Sequence, residues 1–139
     1  MPDGARISVS VVSHGQGALV EPLLDQLAAC PDVGQVLLTR NIPETEIRVP
    51  EALASRVSWI DNAEPKGFGA NHNSAAVLAT CRFLCVLNPD IRLSADPFTP
   101  LVEALEESGE RVALIALGSP IRLAISRTAC AASRRCGFV

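Results

Sequence analysis

Two short stretches of the chain combine residue types that can hold a nucleotide. Residues 67–73 read GFGANHN, and residues 88–90 read Asn-Pro-Asp. Glycine lets the backbone come close to a ligand, and backbone N–H groups near a helix start are a usual way to bind phosphate. Asp90 and Asn88 supply a carboxylate and an amide oxygen, which Mg²⁺ or Mn²⁺ binds together with substrate phosphates. Together the stretches indicate a site for a nucleotide diphosphate and a divalent cation.

Each stretch also has a simpler interpretation. Residues 67–73 suit a plain turn from strand to helix, in which Asn71 or Asn73 caps the helix. Asn-Pro-Asp is good turn chemistry by itself. The interpretation as a site depends on the spacing, because one helix and one strand separate the two stretches.

A third candidate, Ser13-His14-Gly15, follows the first apolar segment. His14 could contact a base or a phosphate, or could only close a polar loop. His72 is expected at the surface near a helix start. The chain has two histidines and no ordered Ser-His-Asp arrangement, so the sequence does not predict a hydrolytic triad.

A dinucleotide-binding fingerprint is incomplete in this chain. Residues 15–20 and 67–72 each lack the third glycine of the pattern, with a valine and a histidine in its place. Arg40-Asn41 stands where an acidic residue is expected after the second strand. A dinucleotide-dependent oxidoreductase fragment is therefore the least supported of the alternatives.

Four short apolar segments predict the strands that position these residues, over Ile7–Ser13, 35–39, 57–60 and Phe83–Leu87. Helical spacing and capping residues predict helices over 19–29, over 73–82, and from the cap Asp96-Pro97 to about Gly109. This order predicts an α/β fold with a mostly parallel open sheet flanked by helices. Its ligand edge holds the carboxyl ends of the strands: Ser13-His14, Arg40-Asn41, Asp61-Asn62 and Asn88-Pro89-Asp90.

Composition excludes several classes of protein. The length of 139 residues fits one domain, and the net charge of −3 gives no general attraction to nucleic acid or to anionic membranes. No leader peptide and no apolar run of about 18 residues is present, so we expect a cytoplasmic protein that does not span a membrane. Five cysteines without a CxxC pair predict reduced thiols.

The last part of the chain differs from the rest. Residues 111–139 contain five of the 12 basic residues and none of the 15 acidic ones. We divide the chain into a domain over 1–118 and a basic tail over 119–139, which is either a basic arm or sequence read out of frame. Residues 112–117 resemble the start of a further core strand, and residues 121–125 alternate as a short edge strand does. From residue 127 onward no period is present, which predicts loose packing.

The chain resembles the N-terminal, nucleotide-sugar-binding half of family 2 glycosyltransferases with a GT-A fold, in particular rhamnosyltransferase-like members. The resemblance covers residues 6–117 and is carried by the segments ISVSVVSHG, VLLTRN, GFGANHN and FLCVLNPDIRL. The last segment is similar to a strand that ends in a D-x-D-like motif, written Asn-Pro-Asp in this branch. The implied fold is a Rossmann-like nucleotide-binding half.

The resemblance implies a glycosyltransferase that uses a nucleotide diphosphate sugar as donor and a hydroxyl group as acceptor. It implies that Asp90 binds Mg²⁺ or Mn²⁺ on the donor diphosphate, with Asn88 at the first motif position. The residues expected along the nucleotide and in the donor pocket are Ser13, His14, Asn41, Asp61, Gly67, Phe68, Gly69 and Asn73. Two positions depart from the family pattern and bear on base recognition: Arg40, where an Asp is usual, and Pro65, where an Asn is usual.

The family places its catalytic base and acceptor site beyond the D-x-D-like motif, and this sequence continues for 49 residues after Asp90 (139 − 90). We therefore expect a truncated domain that is inactive alone, and we assign no catalytic residue. The alternative is a non-catalytic, truncated nucleotide-binding domain. A half domain also leaves an uncovered sheet edge, which favours self-association.

Overall fold

The computed structural model describes residues 4–108, together with two strands at 114–117 and 123–126. The strands of the first part are β1 (Ile7–Ser13), β2 (Val33–Arg40), β3 (Val57–Asp61) and β4 (Phe83–Leu87). The helices between and after them are α1 (Gly17–Ala28), α2 (Glu51–Ala54), α3 (Phe68–Leu78) and α4 (Phe98–Glu107). The order of these elements confirms the predicted α/β fold.

The first four strands form one parallel sheet in the order β3-β2-β1-β4. Ser13 pairs with Arg40, Arg40 pairs with Asp61, and Val11 pairs with Leu87. Because all four strands run in the same direction, their carboxyl ends meet at one edge, which we call the carboxyl edge. Residues 88–90 leave β4 beside the end of β1, so the predicted site residues share this edge.

One face of the sheet carries the apolar core. Successive side chains of a strand point to opposite faces, so Ile7, Val9 and Val11 share a face, and all three are buried. They form one cluster with apolar side chains of α1 and α4, namely Val20, Leu23, Leu24, Leu27, Phe98 and Val102. The buried positions of α1 have helical spacing, which explains why this segment forms an amphipathic helix against the sheet.

The opposite face carries both polar and apolar side chains, and α3 covers part of it. Gln35 accepts the Thr80 N–H at 2.9 Å and donates to the Leu78 carbonyl at 3.1 Å, which ties the end of α3 to β2. The Ser10 hydroxyl lies 2.8 Å from Nδ1 of His72. His72 is buried against β1, so the expected surface position of this histidine is wrong. Burial also lowers the pKa of the His72 imidazole.

The start of α3 differs most from the sequence prediction. The helix begins at Phe68 rather than at 73, because Gly67 takes an extended conformation (φ −72°, ψ 170°) and is the N-cap. Asn71 and Asn73 therefore lie inside the helix, and neither caps it. The helix ends at Leu78, where the carbonyl is taken by Gln35. The strands of residues 4–108, together with α1 and α4, begin and end within two residues of their predicted bounds, whereas the short helix α2 was not predicted.

Two strands that follow the main sheet, β5 (Leu114–Leu117) and β6 (Leu123–Ser126), pair with each other. They are antiparallel and form a separate two-stranded sheet. Strands are thus present where the sequence indicated them, but the expected core strand at 112–117 does not join the four-stranded sheet. The division at residue 118 falls between the paired strands and stays a prediction, and residues 127–139 lie outside the described residues.

Two smaller expectations concern membranes and thiols. Within the described ranges, the longest and most apolar helices fall short of what is needed to cross a bilayer. Cys30, Cys81 and Cys85 are free thiols. Burial raises the pKa of the Cys30 thiol to about 11, so this group is protonated and unreactive at neutral pH.

Candidate functional site

Three asparagines join the strand ends at the carboxyl edge to the start of α3. Asn41 follows β2, Asn62 follows β3, and Asn71 lies in α3. The Asn62 amide donates to Oδ1 of Asn41 at 2.9 Å and to Oδ1 of Asn71 at 2.7 Å. Asn41 and Asn71 are buried. This asparagine cluster therefore fixes the position of the α3 N-terminus relative to two strands.

Asn41 also binds the loop before α3 and the loop after β1. Its Oδ1 accepts the Lys66 N–H at 2.8 Å, and its Nδ2 donates to the Lys66 carbonyl at 3.0 Å. The same Nδ2 lies 3.0 Å from Nδ1 of His14, whose ring is exposed. The structure thus brings three predicted site residues together, because Asn41 links His14 to the chain that enters Gly67.

The Ser13 side chain makes its hydrogen bonds at the β1–α1 turn and does not point into open space at the carboxyl edge. It is buried, its hydroxyl donates to the Glu44 carboxylate at 2.9 Å, and its oxygen accepts the Gln16 N–H at 3.1 Å. The Gly15 N–H also donates to Glu44, at 3.0 Å. Glu44 therefore fills the anion position at the start of α1, where a dinucleotide pyrophosphate binds in Rossmann folds. This contact is a second argument against the oxidoreductase alternative.

Asp61 forms a two-pronged ion pair with Arg40 across the ends of β3 and β2. The Arg40 Nη2 lies 2.9 Å from Oδ2 of Asp61, and its Nε donates to Oδ1. The hydrogen bonds from Arg40 hold the pKa of Asp61 below its usual value. The guanidinium also stacks 4.7 Å above the half-exposed ring of Trp59. Asp61 thus lies at the edge already paired to Arg40.

The glycine segment forms the first turn of α3 and not a separate loop. The described glycines with positive φ are Gly4 and Gly15, so Gly67 and Gly69 do not use the conformational freedom on which their prediction rested. A Cβ atom on Gly67 or on Gly69 meets no other atom within 4 Å. Protein packing therefore does not demand glycine at either position, and the backbone here is accessible to a ligand.

Phe68 and Asn73, the other two predicted site residues of the segment, are exposed. Phe68 is 65% exposed, and its ring meets the edge of the His72 ring at a centroid distance of 4.4 Å. Asn73 lies on the outer side of α3. Neither residue belongs to the asparagine cluster. Only their position near the start of α3 relates them to the predicted site.

Asp90 and Asn88 follow β4 at the same edge, and both are exposed. Within the described part of the chain, neither side chain makes a hydrogen bond or an ion pair. No group of three or more His, Cys, Asp or Glu side chains converges in the described ranges. One carboxylate and one amide oxygen fit a cation that is bound jointly with ligand phosphates, as is usual for Mg²⁺, and not a cation held by protein groups alone.

Sequence reasoning missed four residues that shape this edge: Glu44, Asn62, Lys66 and Asn71. The sequence indicated Asn62 only as the end of a strand, and Asn71 only as a possible helix cap. An excess of asparagine after strands is a usable signal for such a cluster, because amides can donate and accept at once. For Glu44 the sequence holds no signal, since its partner Ser13 is 31 residues away.

No protein-family model and no curated protein sequence matches the chain. Among solved structures, the chain is similar to the mannosyltransferase PcManGT from Pyrobaculum calidifontis, whose structure contains GDP-mannose and Mn²⁺. The TM-score is 0.53 at 19% identity, over 65% of this chain and 29% of the mannosyltransferase chain. At this identity the similarity shows the fold alone, and the chain therefore has a glycosyltransferase-like α/β fold.

Proposed function

We propose that this domain binds a nucleotide diphosphate sugar together with Mg²⁺ or Mn²⁺ at the carboxyl edge. The whole protein then transfers the sugar to a hydroxyl acceptor, as a family 2 glycosyltransferase with a GT-A fold. The observation that carries the proposal is Asp90, an exposed carboxylate at the ligand edge of a parallel sheet without an ion-pair partner in the described residues. The ligands of the similar mannosyltransferase, GDP-mannose and Mn²⁺, support the same pairing of donor and cation.

The proposal gives each group a chemical task. A bound divalent cation neutralises charge that develops on the leaving diphosphate. Asp90 and Asn88 hold that cation from the protein side. The accessible backbone at Gly67 and Gly69 lies at the start of α3, where N–H groups favour phosphate. His14 and the asparagine cluster form the neighbouring wall.

No acceptor base is assigned among residues 91–108. Asp96 accepts the Phe98 N–H at 2.8 Å, but the N-cap of α4 is Pro97, one residue after the predicted cap. Glu106 pairs with Arg6 at 2.7 Å. Glu103 and Glu107 lie exposed on α4, away from the strand ends. The transfer step is thus proposed for the whole protein, and these residues supply the donor side.

The test is calorimetric titration with UDP, GDP and dTDP, each with and without Mn²⁺. We expect binding that requires Mn²⁺ and that falls at least tenfold in Asp90→Ala, because a cation loses its carboxylate ligand. Glu103→Ala is the matched control, since it removes an exposed carboxylate from α4. The chain has one Trp and no Tyr, so Trp59 fluorescence gives an independent reading near the edge.

Two outcomes decide the proposal. Binding that is the same with and without Mn²⁺, and the same for Asp90→Ala as for the parent, rejects the site. Metal-dependent binding without release of diphosphate from any sugar donor supports donor binding and favours the non-catalytic alternative for this chain.

We further propose that the chain associates with itself through the outer edge of β4. This strand is the last of the four-stranded sheet, so one row of its backbone groups has no strand partner in that sheet. On α3, the helix that precedes β4 in the chain, Val77 is 84% exposed and Leu78 is 52% exposed. Sedimentation velocity over a concentration series checks this proposal, and we expect a dimer that Val77→Lys weakens. A monomer at all concentrations contradicts it.

A further inference from the structure

The orientation of the Asn41 side chain is fixed by the backbone of one residue. A backbone N–H can only donate, and a backbone carbonyl can only accept. Lys66 presents its N–H to one end of the Asn41 amide at 2.8 Å and its carbonyl to the other end at 3.0 Å. The first end is therefore the oxygen Oδ1, and the second end is the nitrogen Nδ2. Exchanging the two ends places donor against donor and acceptor against acceptor.

This orientation determines the role of the His14 ring. Nδ2 of Asn41 lies 3.0 Å from Nδ1 of His14, and an amide NH₂ group can only donate. Nδ1 of His14 must then accept, so it carries no hydrogen in this contact. A neutral imidazole has one N–H, which is left on Nε2. The hydrogen-bond geometry around Asn41 thus selects one of the two tautomers of His14.

The Asn41 amide also uses all of its hydrogen-bond donors and acceptors. Its orientation is therefore fixed, and with it the tautomer of His14. Its two hydrogens go to Lys66 and to His14, and its oxygen accepts from Lys66 and from Asn62 at 2.9 Å. The side chain is 5% exposed, so water does not replace a lost partner. Asn41 has no spare donor or acceptor, and a rotated or flipped amide loses several bonds at once.

We propose that Asn41 is a positioning residue that holds His14 as an Nε2–H hydrogen-bond donor toward a phosphate oxygen of the bound nucleotide diphosphate. The ligand part of this inference rests on the proposed function, and the tautomer part does not. His14 is exposed and directly follows β1, which pairs with β4, the strand ahead of residues 88–90. We therefore place its ring at the border of the position assigned to the diphosphate. A phosphate oxygen is a strong acceptor and matches the N–H that this tautomer presents.

The tautomer is tested by long-range ¹H–¹⁵N correlation spectra of the full chain. The chain has two histidines, so His14→Gln assigns the two sets of ring signals. We expect a pyridine-type Nδ1 and a pyrrole-type Nε2 for His14, with a bias of roughly threefold to tenfold from one hydrogen bond. Asn41→Asp replaces the donor by an acceptor, and we expect it to draw the proton to Nδ1.

Asn62→Ala is the control for the spectra. It removes one bond to the Asn41 oxygen and leaves the donor to His14 in place, so the parent tautomer is expected. A parent spectrum with the proton on Nδ1 overturns the inference without any variant. A tautomer mixture that is the same in the parent and in Asn41→Asp overturns it as well.

The ligand part is tested by binding of a nucleoside diphosphate and of its nucleoside, both in the presence of Mn²⁺. His14→Ala is expected to weaken the diphosphate roughly threefold to tenfold and the nucleoside not at all, with partial rescue by His14→Gln, which keeps an N–H donor. Equal loss for both ligands overturns the phosphate assignment. Failure of the parent to bind any nucleotide overturns the ligand part and the proposed function together, and the spectra still decide the role of Asn41.

Discussion

The polar groups at the two ends of the parallel sheet differ in whether they have partners inside the fold. At the amino end, Arg6 precedes β1 and Asp32 precedes β2, and the Arg6 Nε donates to Asp32 Oδ1 at 2.8 Å. Arg56, just before β3, donates to the carbonyls of Val33 at 2.6 Å and of Ala52 at 3.0 Å. A cavity of about 840 Å³ lies beside Arg56, but its guanidinium is already bound to carbonyls. The charges of the amino end are satisfied within the fold.

The carboxyl end combines the Arg40–Asp61 ion pair with neutral amides and an exposed carboxylate. The Asn41 amide uses all of its donors and acceptors within the fold, whereas the Asp90 carboxylate at the same edge of the sheet has no described partner. A surface carboxylate contributes little to folding unless it is paired, so its position at the ligand edge is the informative feature. The comparison teaches that the amino end, with its charges paired inside the fold, is the structural end of this sheet. The carboxyl end also holds a carboxylate without a described partner, and this is the end at which we propose binding.

Two glycines, one in the β1–α1 turn and one in α3, differ in whether the fold requires them. Gly15 has φ 73°, and a Cβ atom on it lies 3.2 Å from Ile42 Cδ1. Gly69 lies inside α3, and a Cβ atom on it meets no other atom. Glycine is thus needed by the fold in the β1–α1 turn, whereas nothing in the protein requires it in α3.

The sharpest test of the comparison between the two ends uses one carboxylate from each. Asp32→Ala removes the hydrogen bonds from Arg6 and from Thr99, whose hydroxyl lies 2.7 Å from Asp32. We expect it to lower the free energy of unfolding by about 2–3 kcal/mol, the usual range for hydrogen bonds to charged groups. Asp90→Ala is expected to change it by less than about 0.5 kcal/mol. Urea denaturation measures both, and equal losses contradict the division into a structural and a binding end.

The pH dependence of unfolding sharpens the same point. The hydrogen bond from Arg6, together with that from Thr99, holds the pKa of Asp32 below its usual value of 3.8. The stability from this carboxylate is therefore present above pH 4 and is lost as the pH falls through its lower folded-state pKa. We expect the free energies of unfolding of the parent and of Asp32→Ala to become more similar below pH 4. Urea denaturation at pH 7, 5, 4 and 3 checks this, and a constant difference shows that Asp32 acts by packing alone.

The smallest expected effects concern the two glycines. Gly15→Ala should destabilise by about 1–2 kcal/mol, because a side chain is unfavourable at positive φ. Gly69→Ala should stabilise by about 0.5–1 kcal/mol, because alanine is the better residue inside a helix. Its added methyl group should nevertheless weaken binding of the nucleotide diphosphate. Thermal unfolding and titration measure the two effects, and unchanged binding removes α3 from the proposed site.

The sequence by itself determined the strands, because their signal is local. Ile7–Ser13 and Phe83–Leu87 form strands with the predicted bounds. Phe83–Leu87 is a continuous apolar run, and Ile7–Ser13 places β-branched apolar residues on one buried face. The topology then follows from the alternation of elements, and with it the edge at which Asp90, Asn88, His14 and Asn41 meet. The start of α3 was not predictable in this way, because glycine and asparagine are poor helix formers and only tertiary contacts to Asn71 place them in a helix.

Tertiary structure alone decided which polar groups form hydrogen bonds with each other inside the fold. Ser13 meets Glu44 across 31 residues, and Ser10 meets His72 across 62, so no local pattern records either pair. These contacts give Ser13 a role in the β1–α1 turn, while its expected place along the nucleotide stays a prediction. They also bury a histidine that was expected at the surface. Asn41 shows the same principle at the site itself: its residue type permits many hydrogen bonds, and only the packing of Lys66 and His14 around it selects four.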